Sequence, residues 1–216
     1  MEIKNKEGNV IGKIEFQSLE NNNVIDNIIL DLKPGDGKAI YTANANGNNF
    51  TQQTNYAAIK WNGNFDELLN GLQPWKPLFP KHTVEEINVY YGFDNLSPSE
   101  IDDMANESVQ TGKNVIVRDL KPNNTIVGVK IVYRSDIGTY ILQIFGTTKS
   151  RINISADEHD KITKVVVRGN EGFFISNNDN NQLIWIEEDA NGKSLQYEMI
   201  GVGSQKDFFS IAESMI

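Results

Sequence analysis

Two segments near the carboxyl end, 183–188 and 195–200, alternate apolar and polar residues at period two around the turn Asp189, Ala190, Asn191, Gly192. An Asn-Gly hairpin sets Leu183, Trp185 and Glu187 on one face, opposite Leu195, Tyr197 and Met199 of the returning strand. A ribbon of this kind is marginal by itself in water and needs a cover for its apolar side. The next segment supplies one. Ser204 starts a short helix with Asp207 as its capping-box partner, and Phe208, Ile211, Ala212 and Met215 recur on one stripe. The sequence therefore predicts one packed unit, with the closing helix laid on the Trp185 and Tyr197 face as the core of the C-terminal part.

Upstream, the same period of two predicts strands over 9–20, 24–32 and 38–43, the last after the breaker Pro34, Gly35, Asp36, Gly37. Asn64 is placed to cap a short helix over Phe65, Leu68 and Leu69 that stops at Gly71. Pro74, Pro77 and Pro80 then remove three backbone donors within seven residues, so sheet pairing should lapse and a lobe boundary should fall there. The interleaved Trp75, Leu78 and Phe79 require an apolar seat, which predicts a connector pinned to the body. Beyond it, 86–93 reads as a strand. Ser97, Pro98 and Glu100 form a helix start, with Ile101, Met104, Ala105, Ser108 and Val109 as the inner face and Gly112 as the stop.

Strands over 115–120, 125–134, 139–147, 162–168 and 172–176 then lead to the Trp185 ribbon in meander order, with turns at 135–138 and 169–172. Val127, Val129, Ile131 and Tyr133 should share the covered face. The expected fold class is α+β, a curved antiparallel sheet packed against a few short helices in two lobes. The expected domains are a strand-rich lobe over 1–73 and an α+β domain over 74–216.

A net charge of -9, with four scattered arginines (Arg118, Arg134, Arg151, Arg168), argues against nucleic acid and against a polybasic membrane patch. Cysteine is absent, which removes disulfides, thiolate nucleophiles and Cys-based zinc sites. No window reaches the eighteen or so apolar residues of a spanning helix, so no membrane span is expected in this chain, and an anchor would have to precede Met1. Asparagine runs at 21–23, 42–49, 123–124 and 177–181 fall where turn chemistry belongs and are read as loops.

No motif carries a catalytic, cofactor or metal signature, and the sequence assigns no such residue. Asp157, Glu158, His159 and Asp160 are consecutive and cannot converge on one ion, so a solvated loop is preferred. His82 stands beside the proline connector with no triad partner and reads as a surface or capping residue. The stretches Gly8 to Lys13 and Gly192 to Ser194 fail the spacing of a phosphate loop, and Gly201 to Ser204 lacks the order of a nucleophile elbow. The turn at Asp189 has its glycine two places too early for a calcium loop. Glu187 and Glu188 could enter a carboxylate pair for glycoside hydrolysis, and Trp61, Trp75 and Tyr56 could form a sugar platform, although core packing is the preferred role for these aromatics.

The segments 182–188, Tyr197 to Gly201 and Asp207 to Met215 resemble the ending of a Gram-positive domain-of-unknown-function family numbered 4367: an apolar-Trp-x-Glu strand, a turn, a Tyr strand and a helix ending Ile-Ala-x-Ser. Pro80 followed by 86–92 resembles that family's entry, and the resemblance extends over 74–216. Residues 32–41 are similar to the N-terminal part of some lipoproteins carrying this domain. The resemblance implies an extracytoplasmic domain of a lipoprotein or of an anti-sigma-factor-like membrane regulator. It also implies a distant likeness to lipoprotein-carrier and periplasmic stress-sensor folds. It brings no catalytic residues and no cofactor.

The function expected from all this is a non-enzymatic extracytoplasmic sensing or binding domain, anchored in the full-length protein. Its partner would be a protein or a small hydrophobic or cell-envelope ligand, held between the sheet and a covering helix or the proline connector. The rival is a cell-wall or polysaccharide hydrolase using paired carboxylates. A third possibility is an interaction domain that pairs through an exposed sheet edge.

Overall fold

The computed structural model describes residues 2–4, 10–13, 28–44, 47–72, 75–136, 138–147, 152, 154, 160–176 and 180–216. Within them, contacts gather the chain into two compact units, one formed by Met1–Asn55 with Phe93–Pro122 and the other by Tyr56–Gly92 with Asn123–Ile216. The boundaries fall at 55/56, 92/93 and 122/123, while the proline connector lies inside the second unit. The fold is sheet-dominated α+β.

The first unit contains an antiparallel pair, β1 (Glu2–Lys4) with β2 (Val10–Lys13), and a three-stranded sheet ordered β4-β3-β7. Here β3 is Gly37–Asn44, β4 is Gly47–Thr54 and β7 is Val115–Asp119. The expected strand over 9–20 is met only by β2, its remainder lying outside the described residues. The described part of 24–32 is not strand: Gln53 reaches across to Ile28 and Leu30, and Asn55 to the Leu32 carbonyl, so side chains take the place of a ladder. β4 is an addition. Its Asn-rich sequence reads as loop, yet it pairs with β3 from Gly37↔Thr54 to Asn44↔Gly47, because Phe50 lies opposite Tyr41 and gives the ribbon one apolar contact.

Helix α2 (Pro98–Thr111) of this unit has the expected capping box, with Ser97 accepting from the Glu100 amide and Glu100 accepting from the Ser97 amide at 2.7 Å. It ends at Gly112 in left-handed conformation. Met104 and Ser108 are buried against Ala39, Tyr41, Ile116 and Leu120. Val109, expected on the inner face, is 83% exposed, because only the Met104/Ser108 stripe meets the narrow sheet.

The second unit is built on an eight-stranded sheet ordered β10-β11-β12-β13-β9-β8-β6-β5. Its strands are β5 (Ala58–Lys60), β6 (Thr83–Phe93, ending in the first unit), β8 (Pro122–Ser135), β9 (Gly138–Gly146), β10 (Lys161–Val167), β11 (Asn170–Ser176), β12 (Asn181–Glu188) and β13 (Ser194–Gly201). A simple meander would set β10 beside β9. Instead β13 lies there, from Leu195↔Gly146 to Gly201↔Tyr140, which places the most apolar ribbon in the middle of the sheet and covers both its flanks. Inside the ribbon the expected pairs occur as Leu183↔Met199, Trp185↔Tyr197 and Glu187↔Leu195. The Trp185 and Tyr197 rings are stacked, 4.9 Å between centroids and 8° between planes. In β8, Val129, Ile131 and Tyr133 enter the core as expected, but Ile126 takes the place predicted for Val127.

Two helices cover this face. In α1 (Phe65–Gly71), Asn64 and Glu67 form the capping box and Leu68 is buried. In α3 (Gln205–Ser214), Ser204 and Asp207 form another, and Phe208, Ile211 and Ala212 are buried in one cluster with Trp185, Tyr197 and Met215. The closing helix and the ribbon are therefore one packed unit.

The connector is pinned as its aromatics demand. Phe79 packs edge-on against Phe65 at 5.2 Å, and its backbone N–H and C=O exchange 3.2 Å hydrogen bonds with Ile216. The Leu78 N–H donates to the Tyr197 hydroxyl at 3.0 Å, and the Lys76 N–H to Asp189 Oδ2 at 2.8 Å. Trp75 lies over Gly146, where a Cβ would come within 2.6 Å of the indole, so only glycine admits that ring.

Candidate functional site

The turn between β10 and β11 organises one end of the sheet. Val167 pairs with Asn170, leaving Arg168 and Gly169 as a two-residue turn at φ +50° and +80°. Positive φ at both positions suits an Asn-Gly type of turn, and arginine is an uncommon occupant. Its side chain supplies the reason. Nε donates to Glu187 Oε2 at 3.2 Å, while Nη1 donates to the carbonyls of Ala212 and Met215 at 3.1 and 3.3 Å. The backbone N–H of Arg168 donates to Glu213 Oε1 at 2.9 Å. The last turn of α3 holds no basic residue, so this remote guanidinium satisfies its open carbonyls and sits at the negative end of its dipole.

Glu187 is only 8% exposed, and the same oxygen also accepts from Trp185 Nε1 at 3.2 Å. A buried carboxylate is tolerated when it is bonded and faced by opposite charge, and both conditions are met here. Next to the pair lies a groove of about 950 Å³. Leu78, Phe173 and Ile186 contribute its apolar lining, and Arg168, Glu171, Glu187 and Glu188 its ionisable lining. Neighbouring residues on a strand point to opposite faces, so Glu187 turns towards the core while Glu188 turns to the other side with Ile186.

The hairpin between β12 and β13 closes through Asp189. Its Oδ1 accepts from the Asn191 and Lys193 amides at 2.8 and 2.9 Å, and Oδ2 from Lys76. Burial pushes its pKa upward, but the bonds from Lys193, Lys76 and Asn191 prevail and hold it below the usual carboxylate range. The calcium-like start is a turn, as its spacing implies.

On the opposite face of the sheet, half-buried Glu198 accepts a hydrogen bond from the Gln182 amide. Burial raises its pKa and the Gln182 bond only partly offsets this. Its register neighbours are Ile184 and Gln143, neither of them acidic. A raised folded-state pKa means that the folded protein holds this proton more tightly than the unfolded chain. The stabilisation is complete below the ordinary carboxylate pKa and is lost as pH rises through the raised one. Glu198→Gln should therefore gain more in Tm at pH 7 than at pH 4, read by thermal melts of both proteins. A gain that is equal at the two pH values, or larger in acid, contradicts this.

The residues singled out in the sequence do not converge. Trp61 donates Nε1 to the Asn64 carbonyl at 3.1 Å and packs against the core, as does Trp75, whereas Tyr56 lies beside Phe145 at 6.4 Å. His82 is not an isolated surface residue: its Nδ1 is 2.8 Å from the Tyr140 hydroxyl, and the rings meet edge to face. Of the acidic run, 157–159 lie outside the described residues; among the described residues no three metal-ligating side chains cluster. Gly192 serves the hairpin turn and Gly201 ends β13 ahead of the α3 cap. Of Gly8 to Lys13, only Val10 to Lys13 are described, as β2. Sequence reading missed Arg168 as a site residue by assigning it to a strand. The one signal was the following glycine, and nothing local tells that the side chain meets a helix 44 residues away.

Residues 119–215 match the model of a family described as Domain of unknown function (DUF4367). The match supports the resemblance carried by the C-terminal motifs, over a shorter stretch than 74–216. No curated protein and no solved structure matches the chain.

Proposed function

We propose that this protein is a non-enzymatic, extracytoplasmic sensing or binding domain whose ligand occupies the groove at the Arg168 end of the sheet. The supporting observation is how the ionisable lining is already employed. Glu187 is bonded to Arg168 and to the Trp185 indole, Arg168 is bonded in turn to the end of α3, and Glu187 and Glu188 diverge across the sheet. A hydrolase of the two-carboxylate kind needs an acid and a base facing each other across the scissile bond. Groove walls that combine apolar side chains with a few polar groups are the ordinary makeup of a binding site. The similarity of 119–215 to the unknown-function domain and the lack of cysteine support the setting, a lipoprotein or an anti-sigma-like membrane regulator.

Two experiments test this. Turnover of cell-wall polymer that disappears in Glu171→Gln or Glu188→Gln, both exposed in the groove, while the Tm holds would transfer the assignment to the hydrolase. Protease treatment of intact protoplasts carrying the full-length protein should remove this domain; protection until lysis would place it inside the cell.

A further inference from the structure

Taking the groove to be a binding site, we infer that its occupant is an extended protein segment with lysine or arginine set between apolar side chains. Acid and apolar groups are interleaved on the outer-facing positions here: Glu171 is two residues from Phe173 on β11, and Ile186 two residues from Glu188 on β12. Among the described residues, the one cation in the lining offers a ligand little. The Arg168 guanidinium is committed to Glu187 and to the Ala212 and Met215 carbonyls. Glu188 is exposed and forms no ion pair among the described residues. Glu171 pairs with Lys164, but both side chains are more than half exposed, and such a pair is weak enough to exchange for a ligand cation.

What remains among the described lining residues is negative charge over an apolar floor, on a chain whose net charge is -9. An acidic peptide or an anionic headgroup would meet like charge here, whereas a basic segment with apolar neighbours complements both parts of the lining. At about 950 Å³ the groove lies at the upper end of small-ligand pockets, which run from about 300 to 1,000 Å³. That volume suits several residues of an extended chain.

The test is an amide-resonance titration with two synthetic peptides of equal apolar content, identical except that lysines in one are glutamates in the other, and with a muropeptide as a non-peptide probe. The basic peptide should shift Phe173, Ile186 and Glu188 and bind about tenfold more tightly than the acidic one. Glu171→Lys combined with Glu188→Lys should abolish that preference. Asp102→Lys combined with Asp103→Lys makes the same charge change on exposed positions of α2 and should leave it intact. Equal binding of the two peptides, preference for the acidic one, or equal loss in the α2 control overturns the charge-based inference. If the muropeptide alone shifts the groove, the inference fails and the binding reading stands. If none of the three shifts it, both fall.

Discussion

Trp185→Ala should lower the unfolding free energy by about 4 kcal/mol, the scale for emptying a large aromatic site in a packed core. The indole is fully buried in the centre of the eight-stranded sheet, stacked on Tyr197 and bonded through Nε1 to Glu187. Its removal opens a cavity that neither β11 nor β13 can close, because both are held in register on either side. Urea denaturation measures the loss. Tyr197→Phe is the comparison: it keeps the ring and deletes only the acceptor for the Leu78 amide, at about 1 kcal/mol. A Trp185→Ala loss no larger than that of Tyr197→Phe would mean that the ribbon is not the keystone of this core.

Arg168→Ala should cost about 3 kcal/mol, since removing one partner leaves the other as an unpaired buried charge. The Met215 carbonyl loses its guanidinium donor at the same time, and the Ala212 carbonyl keeps only the Met215 N–H. The double replacement Arg168→Met with Glu187→Leu removes both charges at similar volume and should recover most of the loss. Hydrogen exchange adds a local readout, because amides of the last turn of α3 should exchange faster in the single variant than in Trp185→Ala at matched stability. If the double variant is no better than the single one, the carboxylate was not the source of the cost.

The ribbon and the three capped helices could be read from sequence because each rests on contacts close along the chain, and the pinned connector because its aromatics demand an apolar seat whichever residues supply it. Ser97 with Glu100, Ser204 with Asp207 and Asn64 with Glu67 are all separated by three positions, and period-two alternation needs no knowledge of the neighbour. What escaped depends on distant partners. The insertion of β13 beside β9 is decided by which strands bury most in the centre, and the strand character of β4 by a single Phe50 opposite Tyr41. The groove escaped for the same reason. Its central residue adopts a turn conformation that its type disfavours and is held there by a helix carbonyl 44 residues further along the chain.

The interleaved path of the chain bears on how this molecule can be cut. A fragment limited to the family match at 119–215 would discard β6 and the core side chains Leu68, Leu72, Phe79 and Val89. One flank of β8 would then lie bare, an invitation to aggregate edge to edge. Gly92 and Asn123, by contrast, are neighbours: a Cβ on Gly92 would stand 3.4 Å from the Asn123 side-chain oxygen. Phe93–Pro122 thus leaves and re-enters at almost the same place, in the manner of a domain insertion. Splicing 56–92 to 123–216 through a short turn would keep the residues of that compact unit together, including the core side chains that the shorter cut discards.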